Sequence, residues 1–189
     1  MNFYTSDLHL FHKNVTAEGT NFDNRPFQTL AEMHEVIKQR WNEKVTNADT
    51  VYILGDIVWK MSDEAIALVS TLRGRKVLCL GNHDKDKDAR FLQLFSEIVP
   101  YKEVADNVGG KNYKVILSHY PIAFWNGIHR GNIHLYGHVH GTDEENDYQR
   151  FLAEIGEKYG EKYIARNVGC MHWNYEPVTL EEIMKRSCD

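Results

Sequence analysis

The stretch VLCLGNHD, residues 77–84, predicts how the chain folds around it. Residues 77–80 form the short apolar run that is typical of a buried strand, and Gly81 marks the turn that ends it. The polar residues Asn82, His83 and Asp84 follow directly. Because binding sites of α/β proteins form beyond the carboxyl ends of strands, the stretch indicates a buried strand that delivers polar side chains to a site.

The same arrangement recurs on both sides of this stretch. Residues 2–5 and 51–54 are predicted strands before it, and residues 114–117 and 133–136 are predicted strands after it. Each of them is followed within a few residues by Asp or His. Together with the asparagine of the first stretch, these side chains form one set, Asp7, His9, Asp56, Asn82, His119, His138 and His140. We expect the set to lie together beyond the strand ends.

Helical patterns alternate with the strands. Apolar residues recur at helical spacing over four segments, residues 30–45, 62–72, 89–95 and 148–159. Thr29 and Thr179 each open a helix with the sequence of a capping box, and residues 164–168 form a last strand. The alternation predicts a layered α/β fold, and a length of 189 residues favours a single domain over residues 1–189.

Composition and charge narrow the class of protein. The sequence has no apolar run of the roughly 18 residues that a membrane span needs, and its beginning does not resemble a secretory signal. A formal net charge of −5 weighs against a broad surface for nucleic-acid phosphates. Three cysteines, Cys79, Cys170 and Cys188, cannot all pair within one chain, so we expect a reduced protein in the cytoplasm. The oligomeric state stays open.

The seven polar side chains indicate a site for two metal ions. Four imidazoles with carboxylates suit a borderline transition metal better than Mg²⁺ or Ca²⁺, which prefer oxygen ligands. Seven ligand groups are too many for one catalytic ion that keeps an open coordination position, but they fit two ions that share a bridging carboxylate. Each motif alone is weak, because a single His at a strand end is usually structural. Their joint order favours the metal site.

In this order the motifs resemble the calcineurin-like metallophosphoesterase superfamily, whose series is Asp-x-His, Gly-Asp, Gly-Asn-His-Asp or -Glu, His and Gly-His-x-His. The five blocks span residues 7–140. The resemblance implies a four-layer α/β sandwich with two central mixed β-sheets flanked by helices. It implies that one ion is held by Asp7, His9, Asp56 and His140, that Asp56 bridges, and that Asn82, His119 and His138 complete the second site. Mn²⁺ is the expected ion, with Fe, Zn²⁺ or Ni²⁺ as alternatives.

Such a centre has an expected mechanism. Metal ions lower the pKa of bound water towards about 7, so a metal-bound hydroxide is expected to attack phosphorus in line with the leaving oxygen. His83 is expected to protonate the leaving oxygen or to donate a hydrogen bond to the phosphate, and Asp84 to orient His83. His12 and Arg25 are candidate substrate contacts, since a guanidinium can fork onto phosphate oxygens. A solvated loop arginine is the alternative for Arg25.

The expected function is therefore that of a phosphodiesterase that acts on a small, nucleotide-like phosphoester. Trp59 and Tyr120 follow two of the motifs and can stack on a nucleobase, although ordinary loop packing is the alternative for each. A phosphomonoesterase, a protein phosphatase or a nuclease keeps the same chemistry, but a nuclease needs a basic track that the sequence lacks. A catalytically inactive binding scaffold is the alternative from another class. His34 and His134 are expected to be structural.

Overall fold

Two four-stranded β-sheets form the centre of the computed structural model, which describes residues 1–84 and 88–186. Cys188 lies outside these residues. The first sheet has the order β1 (Asn2–Thr5), β2 (Thr50–Ile53), β3 (Arg75–Cys79) and β4 (Glu97–Val99). The second sheet has the order β5 (Tyr101–Val108), β6 (Lys111–Ser118), β7 (Ile133–Tyr136) and β8 (Ala165–Asn167).

The connections explain the strand directions. Strands β1 to β4 pair in parallel, and each step between them contains a helix, because parallel neighbours need a crossover connection. Strands β5 and β6 are antiparallel, since Gly109 and Gly110 both adopt positive φ in a two-residue turn between them. The second sheet is therefore mixed, with β6, β7 and β8 parallel. Val178 adds one antiparallel bridge to Tyr4 of the first sheet.

Within the described residues, five α-helices accompany the sheets. They are α1 (Leu30–Lys44), α2 (Asp63–Ser70), α3 (Ala89–Leu92), α4 (Asp143–Tyr159) and α5 (Leu180–Lys185). Helix α1 begins at Thr29, whose side chain accepts the backbone N–H of Glu32, and α5 begins with the full capping box of Thr179 and Glu182. Across residues 1–84 and 88–186, none of the helices is both long and apolar enough to cross a bilayer.

Alternation along the strands produces four layers. Phe3 packs in an apolar cluster with residues of α1, α2 and α3, whereas its neighbour Tyr4 packs in a second cluster with Leu117 of the other sheet. Ile116, next to Leu117, faces outward and packs with Leu152 of α4. Successive side chains of a strand point to opposite faces, so the order of layers is helices, sheet, sheet, helix. The predicted sandwich of two sheets flanked by helices is confirmed.

The structure differs from the sequence prediction in four of the described elements. Strands β4 and β5 were not predicted, because β5 alternates between exposed and half-buried positions and lacks an apolar run. The helix predicted over residues 89–95 ends at Leu92. Helix α4 begins at Asp143, before the predicted start at residue 148, because three acidic residues fill its first turn, where the helix dipole favours negative charge.

Candidate metal centre

The loops that follow five strands bring the seven predicted ligand residues to one place. The strands are β1, β2 and β3 of the first sheet and β6 and β7 of the second. Six of the residues form two groups, within each of which the ligand atoms lie within 4.8 Å of one another, namely Asp7 with His9 and His140, and Asp56 with His119 and His138. Asn82 joins the second group, since its Oδ1 lies 2.9 Å from Nε2 of His119.

In the first group three ligand atoms converge in a buried space. Nε2 of His9 lies 3.2 Å from Nε2 of His140. Oδ1 of Asp7 lies 3.9 Å from the first of these nitrogens and 3.7 Å from the second. Two ring nitrogens that face each other compete for one proton, and a shared cation satisfies both lone pairs and the carboxylate together. The donor set of this group therefore fits a transition metal ion.

Asp56 belongs to the second group and also lies beside the first. Its Oδ2 is 3.8 Å from Nε2 of His9 in the first group and 3.6 Å from Nε2 of His119 in the second. The side chain of Asp56 is 2% exposed. A buried carboxylate oxygen that faces ligand nitrogens of both groups is in the position of a bridging ligand.

Five of these residues hold the backbone in the left-handed region that favours glycine. Their φ angles are 56° at Asp7, 47° at His9, 54° at Asp56, 69° at His138 and 49° at His140. Such conformations cost on the order of 1–3 kcal/mol each and persist where the surrounding structure holds them, typically at functional sites. Backbone strain in the described residues is therefore concentrated on the loops that meet here.

Two glycines allow the loops to approach the carboxylates. A Cβ atom at Gly81 would collide with Oδ1 of Asp56, and a Cβ atom at Gly137 would collide with the carboxylate of Asp7. The space left by Gly81 lets the backbone N–H of His83 donate to Oδ1 of Asp56 at 2.9 Å. Both carboxylates are thus held by main-chain contacts that a side chain at either glycine would displace.

Burial shifts the pKa values of His9 and Asp7, two members of the first group, in opposite directions. It lowers the pKa of His9, and the neighbouring His140 acts in the same direction. It also raises the pKa of Asp7, although His140 and His119 oppose this shift. A neutral imidazole is the form that binds a metal ion, and a bound cation offsets the penalty for a buried carboxylate. The electrostatics therefore also fit a metal centre.

Residues 3–174 match the family model of the calcineurin-like phosphoesterases. The chain belongs to this family. An uncharacterized protein, MJ1445, from Methanocaldococcus jannaschii is 30% identical, with 97% of this chain and 89% of that protein covered. The gene 66 protein of Mycobacterium phage D29 is 32% identical, with 73% of this chain and 77% of that protein covered. A crystal structure of the Aquifex aeolicus protein AQ665, of unknown function, has a TM-score of 0.63, 26% identity and 98% coverage of both chains.

His83 of this calcineurin-like phosphoesterase lies at the open side of the centre. Its Nε2 is 3.8 Å from Oδ2 of Asp56, and about a third of the side chain is exposed, at 34%. Its ring lies near those of His9 and Trp59, with centroid distances of 5.7 and 4.4 Å. A partly exposed imidazole beside the candidate bridging carboxylate can reach a substrate that binds from solvent.

Asp84 makes different contacts from those predicted. Its Oδ2 accepts the backbone N–H groups of Asp56 at 2.8 Å and Gly81 at 2.9 Å, and its Oδ1 accepts that of Ile57 at 3.4 Å. The carboxylate therefore ties the loop after β2 to the loop after β3, and its predicted role in orienting the ring of His83 stays a prediction. Loop partners of this kind cannot be predicted from spacing, because they depend on how the two loops pack.

The guanidinium of Arg25 is fully buried and points inward, so the structure gives no support to its predicted contact with phosphate, which stays a prediction. Nε donates to Oδ2 of Asp23 at 2.7 Å, Nη1 to the carbonyl of Leu8 at 2.9 Å and Nη2 to the carbonyl of Asp7 at 2.8 Å. These carbonyls belong to the loop after β1, whose backbone is strained at Asp7. Arg25 thus stabilises the loop after β1, which carries Asp7, through contacts with its backbone.

Replacing Arg25 with alanine is expected to lower the free energy of unfolding by about 3–5 kcal/mol, because it removes the cation beside the buried carboxylate of Asp23 and the guanidinium donors to two backbone carbonyls. Urea unfolding of the variant measures this. Arg90→Ala is the matched control, since Arg90 pairs with Asp88 at the surface and its loss should change stability by about 0.5 kcal/mol or less. A fully stable Arg25→Ala variant with a raised KM would contradict the structural role.

His12 stacks on Trp59, with ring centroids 3.8 Å apart and an interplanar angle of 10°. It therefore supports an exposed indole beside the centre, and its predicted contact with substrate stays a prediction. His34 accepts the backbone N–H of Phe11, and His134 contacts the carbonyl of Ile116, so both are structural as expected. Asp23 was not predicted at all, since a loop aspartate next to an arginine carries no signal of its own.

Proposed function

We propose that the protein is a dinuclear metal-dependent phosphodiesterase that hydrolyses a small, nucleotide-like phosphodiester, with Mn²⁺ as the favoured ion. The observation that carries the proposal is the position of Asp56, whose Oδ2 faces His9 of one group and His119 of the other. Two-metal hydrolytic sites hold their ions about 3.5–4 Å apart on such a carboxylate. Asp7, His9 and His140 would hold one ion, and Asn82, His119 and His138 the other, with Asp56 common to both.

When bound, the ions supply positive charge for the phosphate and lower the pKa of water. Side chains of the protein would bind the ions and assist the leaving oxygen. Burial keeps His9 and His138 neutral and able to bind metal, because it lowers the pKa of both. The side chain of His83 is partly exposed at the open side, where its imidazole can donate a proton or a hydrogen bond to the leaving oxygen.

The position of Arg25 favours a diester over a monoester. A phosphomonoester carries a second negative charge, which enzymes commonly bind with a guanidinium fork. Here the guanidinium of Arg25 pairs with Asp23 and donates hydrogen bonds to two backbone carbonyls, and it points away from the open side. A monoanionic diester needs less positive charge from the protein. Because Arg25 is not available to bind phosphate, a diester substrate is favoured over a monoester.

Exposed aromatic side chains beside the metal ligands support a nucleotide-like substrate. Trp59 is 44% exposed and packs on His12, which fixes the indole. Tyr120 is 49% exposed, and its ring lies 4.5 Å from that of His138. Phe22 is 53% exposed and lies 5.8 Å from the ring of His140. Such surfaces offer faces for a nucleobase, while the net charge of −5 disfavours a long polynucleotide.

The test is a substrate panel in Mn²⁺. We expect kcat/KM for bis(p-nitrophenyl) phosphate to exceed that for p-nitrophenyl phosphate by at least about tenfold, and EDTA to abolish both activities. Cyclic nucleotides and dinucleotides in the same panel identify the natural class. A wide preference for monoesters contradicts the diesterase, and a metal-loaded protein that hydrolyses no ester would support the inactive scaffold instead.

Trp59→Ala is expected to raise KM for a nucleotide diester by about 5- to 150-fold, which corresponds to about 1–3 kcal/mol for the loss of base stacking. KM for a dialkyl phosphodiester should stay within about twofold. Tyr159→Ala is the matched control, since Tyr159 is equally exposed but lies at the end of α4, in contact with His129. Equal losses for the two substrates would show that Trp59 supports the fold of the site and does not stack on a base.

A further inference from the structure

Asp23 connects two parts of the candidate metal centre that come from different sheets. Its Oδ2 accepts the N–H of Arg25 Nε at 2.7 Å, and its Oδ1 lies 3.0 Å from Nδ1 of His140. The side chain of Asp23 is 4% exposed. Arg25 in turn binds the carbonyl of Asp7, so one continuous set of contacts links the backbone at one ligand to the ring of another ligand in the same group.

The turn that carries Asp23 is closed by its own hydrogen bonds. Oδ1 of Asn21 accepts the backbone N–H of Arg25 at 2.9 Å, and Nδ2 of Asn21 donates to the carbonyl of Arg25 at 3.1 Å. Asn21 and Asn24 both adopt positive φ, and the N–H of Asn24 donates to the carbonyl of Asn21 at 3.0 Å. Asp23 is therefore presented by a fixed turn, and its carboxylate does not depend on a flexible loop for its position.

The two ring nitrogens of His140 face different partners. Nε2 faces the ligand atoms of the first group, 3.2 Å from Nε2 of His9. Nδ1 lies 3.0 Å from Oδ1 of Asp23 as an ion pair, and among the described residues this buried nitrogen has no partner with the full geometry of a hydrogen bond. Asn167 and His172 hold the backbone carbonyl of His140, each at 3.0 Å. The backbone of His140 is thus held at two points, and its ring lies between Asp23 and His9.

His119 offers a comparison within the same centre. Its Nδ1 lies 2.7 Å from the carbonyl of Leu54, and its Nε2 faces the second group. In both imidazoles Nδ1, the nitrogen that does not face the ligand group, lies near an oxygen. The oxygen near His119 belongs to a backbone carbonyl, and the oxygen near His140 belongs to a carboxylate. A carboxylate behind a metal-binding imidazole fixes the tautomer and makes the ring a stronger ligand than a carbonyl does.

We infer that Asp23 is a positioning residue for the first metal ion, which holds the Nδ1–H of His140 so that Nε2 is directed to the ion. The inference rests on the proposed function, because it needs the metal centre. Asp23 itself contacts neither metal nor substrate. Because Arg25 shares the same carboxylate, Asp23 also ties the loop of Asp7 to His140, so two of the ligands of one ion are positioned through a single side chain.

The test compares metal binding by the wild-type protein and by Asp23→Asn, with Mn²⁺ titrations followed by calorimetry and electron paramagnetic resonance. We expect one of two ions to bind about 10–100-fold more weakly in the variant, with the other unchanged. Glu161→Gln is the matched control, since Glu161 contacts Nδ1 of His129 at 2.8 Å outside the centre, and it should bind both ions as the wild type does. Unchanged affinities in Asp23→Asn, or equal weakening of both ions, overturn the inference.

A second measurement needs no variant, in case Asp23→Asn fails to fold. In the zinc-loaded wild-type protein, ¹⁵N spectra of the histidine rings should show His140 bound through Nε2 and protonated at Nδ1. Coordination through Nδ1 overturns the inference. The proposed function fails on separate grounds, namely if the wild-type protein binds fewer than two ions or hydrolyses none of the phosphodiesters in the panel.

Discussion

Replacing Asp56 with asparagine is expected to reduce kcat for phosphodiester hydrolysis by about 10³-fold or more. Oδ2 of this side chain faces His9 and His119 from the two groups, so its charge serves both ions. Asparagine keeps the size of the side chain but removes the charge that lets two cations lie close together. The substitution therefore removes the electrostatic basis of the centre and leaves its packing intact.

The measurement pairs kinetics with a metal titration. Asp56→Asn should bind one ion fewer than the wild type at the same Mn²⁺ concentration and should still unfold cooperatively. Asp147→Asn is the matched control, because Asp147 is an exposed carboxylate that pairs with Arg150 on α4, and its activity should be unchanged. Near-wild-type turnover with two bound ions in Asp56→Asn would rule out the bridging role.

His83→Ala is expected to lower kcat by about 10²–10⁴-fold for a substrate with a poor leaving group, because the imidazole stands at the open side and can donate a proton or a hydrogen bond. For a nitrophenyl ester, whose leaving oxygen needs little help, the loss should be much smaller. Metal binding should not change. This difference between leaving groups separates general acid catalysis from a general loss of structure.

His129→Ala provides the control for this prediction. Its ring lies outside the centre and pairs with Glu161 at the surface, so turnover on both substrates should match the wild type. If His83→Ala loses the same factor on good and poor leaving groups, the imidazole binds the phosphate and does not protonate the leaving oxygen. Full turnover on the poor leaving group would remove His83 from the mechanism.

Most strands and the loops that carry the candidate ligands could be predicted from local sequence patterns, whereas the arrangement of the strands in two sheets was implied by the resemblance to the family. An apolar run such as residues 77–80 identifies a strand without knowledge of the rest of the chain. The polar residues after it, Asn82 among them, then follow from the rule that sites form at strand ends. Strand β5 could not be predicted in this way. Its residues are exposed or half-buried, and it lacks the apolar run by which a strand is identified from sequence.

Residues whose role depends on distant contacts were predicted less well. Arg25 was expected either to fork onto a phosphate or to be solvated in its loop, and only the packed structure shows that its guanidinium is buried. Asp84 binds backbone N–H groups across two loops. Asp23 contacts His140, which lies far along the chain in the other half of the fold. Such partners depend on how the loops of two sheets meet, and spacing along the sequence does not encode that.

The most direct test of the central claim is a crystal structure of the Mn²⁺-loaded protein in which the ions are located by anomalous scattering. We predict two manganese peaks about 3.5–4 Å apart. One should contact Asp7, His9 and His140, the other Asn82, His119 and His138, with Asp56 bound to both. A single peak, or two peaks that do not share Asp56, would contradict the dinuclear centre.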